Sequence, residues 1–108
     1  MMAMRALLAG TWSRSMAEIR AKLRDTLRPG DALLLPSAPR IAPLRGTPAS
    51  EVEVAYRNAA MALLCMAGLG GLPQLSLPLA EAEGCPAGLS LLGGAGADEA
   101  LLALAARV

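Results

Sequence analysis

Between Ser15 and Leu27, apolar residues fall at Met16, Ile19, Leu23 and Leu27, three or four positions apart, with mostly charged or small residues between them. That spacing predicts an amphipathic helix with one wet face. Ser15 followed by Glu18 has the capping-box spacing, which puts the helix start there and leaves residues 1–14 as a lead-in to a single segment over 15–108. Pro29 and Gly30 cannot continue a helix. The run "DALLLP" that follows is short and does not alternate, the pattern of a strand covered on both faces in a parallel sheet.

From Pro36 to Pro48 the prolines leave no periodicity, so "PSAPRIAPLRGTP" reads as a fixed loop at the end of that strand. Ser50 and Glu53 repeat the capping-box spacing, and Val52, Tyr56, Ala59, Leu63 and Met66 mark one side of a second helix. Residues 59–67 are apolar all round, as in a helix buried in a larger body, and Gly68 is placed to end it. "QLSLPL" and "AGLSLLG" alternate with period two, and "AEAEGCP" between them reads as a hairpin loop. Pro78 has no N–H for a ladder, which puts its strand at an edge or a bulge. A last helix, "DEALLALA", is one that Asp98 can cap.

Composition then narrows the function. With 55% hydrophobic residues, 18% charged and a mean hydropathy of +0.46, the chain carries more apolar surface than 108 residues cover comfortably. A net charge of +1, with Trp12 and Tyr56 as the aromatics, supplies neither a basic stripe nor stacking platforms, so no nucleic-acid partner is expected. "MMAMRALLAG" is interrupted by Arg5 and falls far short of the roughly 20 residues that span a bilayer, so a cytoplasmic protein without a membrane partner is expected. Cys65 and Cys85 have neither Cys-x-x-Cys spacing nor a histidine anywhere to join them. No metal site and no cofactor are expected, and both thiols read as reduced; Cys65 sits in the apolar helix and Cys85 in a loop. The glycines from 68 to 96 include no Gly-x-x-x-x-Gly-Lys and read as turns and close packing.

Three stretches together are more specific. "DALLLPSAP", "AGLGGLPQLSLPL" and "GCPAGLSLLGGAGADEALLALA", in this order, resemble the C-terminal part of the amidase signature enzymes, over most of residues 15–106. Members often carry Thr where Ser37 stands and Gln near Ser90. The resemblance implies an α/β fold, the C-terminal portion of a mixed sheet flanked by helices and incomplete as an isolated chain. It also implies a Ser-Ser-Lys amide hydrolase acting on carboxylic amides. The Gly/Ser-rich motif of that family and its lysine segment have no counterpart here, so no catalytic residue is assigned and the chain alone is expected to be inactive.

Individual residues agree with this. Lys22, the one lysine, lies on the flank of the first helix four residues after Glu18, the arrangement of a solvated surface charge rather than of a base. Ser76 and Ser90 read as structural hydroxyls on the polar sides of their strands. Ser37 follows a buried strand, where α/β sheets place ligand contacts, and is the one substrate-binding candidate, in a complete enzyme. The partners expected are a small-molecule amide in that complete enzyme and an N-terminal amidase part. The alternatives are a non-catalytic interaction module or a truncated remnant docked on a partner chain.

Overall fold

The computed structural model describes the backbone of residues 2–108 and the side chains from Arg14 onward. The elements in order are α1 (Met2–Thr26), β1 (Ala32–Pro36), α2 (Arg57–Gly70), β2 (Gln74–Ala82), β3 (Cys85–Gly93) and α3 (Asp98–Ala105), and a π-helical turn over Glu51–Tyr56 leads into α2. The lead-in expected over residues 1–14 lies, apart from its helical backbone, outside the described residues. Because α1 already runs through Ser15, that residue is an exposed interior position and not a cap.

The three strands form one sheet in the order β1-β3-β2, antiparallel at both junctions. The α/β class therefore holds, while the parallel, doubly covered setting expected for β1 does not. β1 is an edge strand whose partner β3 runs against it, and Leu34 is 62% exposed. An unbroken apolar run reads the same whether or not the second face is covered within these residues.

β2 and β3 are joined by Glu83 and Gly84 alone, both with positive φ (52° and 75°), the two-residue turn whose twist suits a hairpin. The strands thus run deeper into "AEAEGCP" than the sequence suggests, and Cys85 is the first residue of β3 rather than a loop residue. The register shifts between Leu77 and Ala80, so Pro78 sits at a bulge on an edge strand, as its missing N–H requires.

Partners across an antiparallel pair share a face. On one face Leu35 and Leu92 join Leu72 in a small core, closed by Leu23 of α1, by Leu27 just past its end and by Leu63, Leu64, Met66 and Ala67 of α2. Of the expected stripe, Leu23 and Leu27 pack here, whereas Ile19 is exposed. Arg24 Nε donates to the Gly70 carbonyl at 2.9 Å, so a cation of α1 meets the negative end of α2.

Helix ends depart from the expected residues. α2 passes through Gly68 and stops at Gly70, where Gly71 turns left-handed (φ 63°) and its N–H bonds the Ala67 carbonyl. Ser50 makes no side-chain cap, because helical bonding has already begun with Glu51 N–H and Val52 N–H donating to the Pro48 carbonyl. Ala97 rather than Asp98 is the cap of α3; Asp98 and Glu99 lie in its first turn, where the helix dipole favours them.

The other sheet face carries Leu34, Leu75, Leu77, Leu89 and Leu91, covered at one end by α3, whose Leu101 packs over Gly93. Leu34, Leu77, Leu79, Leu89, Leu91, Leu104 and Val108 surround a wholly apolar concavity of about 250 Å³. The chain exposes 8078 Å², where a compact monomer of 11.0 kDa exposes about 5600 Å². The continuous helix Glu51–Gly70 is long and apolar enough to cross a membrane by length and composition, and its C-terminal half is the part packed on the small core.

Candidate functional site

The site grows from the end of β1. Past Pro36 the ladder continues one step, with Ser37 N–H donating to the Gly88 carbonyl at 3.0 Å. That step brings the Ser37 side chain to the face carrying Ser90, the partner of Leu35, and Ser76, the partner of Ser90. Ser37 Oγ lies 2.6 Å from Ser76 Oγ and 2.8 Å from Ser90 Oγ. The three hydroxyls that the sequence left in separate elements are one hydrogen-bonded file.

Two features make the file possible. The bulge at Pro78 is the first. Carried straight on from the Ala82–Cys85 pair, the register would set Ser76 opposite Leu91; the shift sets it opposite Ser90. Gly88 is the second, since a Cβ there would stand 2.7 Å from Ser37 Oγ and 3.1 Å from Ser76 Oγ. Gly88→Ala is expected to split the file and cost about 1–3 kcal/mol by overpacking, read as a lowered urea midpoint. Ser37→Gly in the same chain should return much of that loss, and an unchanged midpoint in Gly88→Ala would show that the hydroxyls have room.

Burial polarises the file. Ser90 is 1% exposed and its hydroxyl meets Ser37, whereas Ser76 is exposed to water. A buried donor left unmade costs about 1–3 kcal/mol, so Ser90 donates to Ser37, Ser37 donates to Ser76, and Ser76 keeps a proton for an outside acceptor. Such a file can hold a carbonyl or an anion by hydrogen bonding. Among the described residues no amine, imidazole or carboxylate is hydrogen-bonded to it, and Lys22 stands exposed on α1.

Beside the file, a cavity of about 370 Å³ lies between the loop after β1 and the start of β3. Its walls are Pro36, Pro39, Ile41, Tyr56, Pro86 and Gly88, with small alanines filling the gaps and Arg40 as its one charged residue. The Arg40 guanidinium lies over the Tyr56 ring, 5.3 Å from its centroid. Ser37 is flanked by wall residues while its own hydroxyl turns toward Ser76 and Ser90. Sequence reasoning missed Arg40 and Tyr56 as a pair; the cue was a cation in a proline-fixed loop with a single tyrosine at the next helix. Cys65 and Cys85 are free and half-buried, and no cluster of metal-binding side chains occurs among the described residues.

A three-stranded antiparallel sheet with two helices on one face and a third helix closing one end of the other is a mixed α/β arrangement. The amidase family model matches residues 3–102, and the chain belongs to the amidase family. It is 37% identical over 86 residues to Amidase 1 of Oryza sativa subsp. japonica, covering 80% of this chain and 20% of that protein. It is 33% identical over 85 residues to Outer envelope protein 64, chloroplastic, of Arabidopsis thaliana, covering 79% of this chain and 14% of that one. The chain therefore spans a fifth or less of the length of these relatives. One component of the glutamyl-tRNA(Gln) amidotransferase from Thermotoga maritima has the same fold over 89% of this chain and 24% of its own, with a TM-score of 0.64 and 24% identity.

Proposed function

We propose that these 108 residues form the C-terminal part of an amide hydrolase acting on carboxylic C–N bonds, inactive alone and completed by a segment that bears the family's Ser-Ser-Lys residues. The observation that carries this reading is the family match joined to a sheet face of leucines left open to solvent. An apolar patch of that kind is a surface awaiting cover. In the completed enzyme the loop at Ser37 and the cavity beside it contribute pocket wall, and the attacking serine comes from the other segment. The same face would serve a non-catalytic module docked on a partner, so turnover decides between the two. The reading includes a cytoplasmic location, which cell fractionation tests.

The test is turnover with and without the missing segment. The purified chain should hydrolyse simple aryl and alkyl amides no faster than buffer, and addition of a separately expressed N-terminal amidase segment should create activity that neither part has alone. Turnover by the chain alone, lost in Ser37→Ala or Lys22→Ala, would overturn the proposal.

A further inference from the structure

Arg40 is set up to do something the serines cannot. Its guanidinium carbon lies over the Tyr56 ring, and among the described residues it forms no ion pair. A cation–π contact uses the charge and leaves the five N–H donors of the guanidinium for other partners. Glu51 lies along the adjoining groove that Arg40 also lines, without reaching ion-pair distance. Tyr56 is the last residue of the π-helical turn, and prolines at 36, 39 and 43 restrict the loop that carries the cation.

The cavity is of ligand size, and apart from Arg40 and the Tyr56 hydroxyl the side chains that line it are apolar. A planar fork at the edge of such a cavity suits a ligand with an apolar body and a carboxylate at one end, taken by two parallel N–H bonds. We propose that this cavity is an anion-selecting subsite, and that the substrate is an amide carrying a free carboxylate on an apolar body, with Arg40 as the specificity-determining residue and Tyr56 as its positioning residue. The substrate half of this inference rests on the amide-hydrolase reading; the binding half stands on the cavity alone.

The experiment titrates the 108-residue chain with 3-phenylpropanoate and with its neutral isostere 3-phenylpropanamide by ligand-detected NMR. Because Arg40 is exposed, the carboxylate should bind only about fivefold tighter. The preference should shrink in high salt, vanish in Arg40→Gln with the amide's affinity unchanged, survive in part in Arg40→Lys, and fall in Tyr56→Leu. Glu51→Gln should leave or raise it. Equal affinities in the unaltered chain, a preference that persists in Arg40→Gln, or binding of neither probe would overturn the subsite. Should Arg40→Gln fail to fold, the salt titration and Arg40→Lys still decide. A chain that prefers the carboxylate but never forms an active complex would remove the amide-hydrolase reading and leave the subsite; an active complex without the preference would do the reverse.

Discussion

Leu77→Asp is expected to abolish both assembly with an N-terminal amidase segment and the turnover that assembly creates. Leu77 is half-buried on the open leucine face, beside Leu79, Leu89 and Leu91. In the free chain a carboxylate at this position still reaches water, so the chain should fold nearly as before. Once a second segment covers the face, that carboxylate has no cation to pair with among its apolar neighbours, and burying an unpaired charge costs far more than one contact returns. Co-purification and amide turnover measured together read the outcome. Lys22→Ala is the matching control, expected to leave association and rate unchanged because the side chain is exposed on α1. A Lys22→Ala complex that assembles yet loses turnover would make this lysine the base and reverse the assignment of the chain to the non-catalytic part.

Leu92→Ala is expected to bring the largest loss of stability of any single truncation here. Leu92 is fully buried and meets Leu35 and Leu72 where α1 and α2 close on the sheet. Removing a buried leucine typically costs about 3–5 kcal/mol, through lost burial and the cavity left behind. With Leu35, Leu72, Leu91, Leu92 and Leu101 as the buried apolar side chains among the described residues, that is a large share of the total. Urea denaturation should show a midpoint near zero denaturant, or no cooperative transition. Leu34→Ala, on the exposed edge, should change the midpoint little; equal losses in the two variants would mean that the core lies elsewhere.

What the sequence made legible were features set by local chemistry. The first helix, the hairpin and the irregularity at Pro78 all follow from spacing or from a missing N–H, and all are present, though of the stripe at Met16, Ile19, Leu23 and Leu27 the last two are the ones packed on the core. Helix ends were less legible: Ser15, Ser50 and Asp98 have the right side chains for caps, but the helices begin elsewhere. Strand direction was not legible at all, since "ALLLP" has no property that distinguishes a parallel neighbour from an antiparallel one. The serine file was hidden for a different reason. Ser37 and Ser90 are 53 positions apart, and their meeting depends on a register that a single bulge decides. Arg40 and Tyr56 likewise belong to separate elements that only the folded loop brings together.

The bulge at Pro78 gives this hairpin one residue to spare. A substitution at Leu79 or Ala80 alters one side chain at an exposed or half-exposed position. Removal of one residue between Leu77 and Ala80 would instead take out the bulge itself: the residue left between them falls opposite Gly88, while Leu77 stays opposite Leu89 and Ser76 opposite Ser90. One lost codon there would therefore straighten the edge strand and leave both faces, the hydroxyl file and the leucines, as they are.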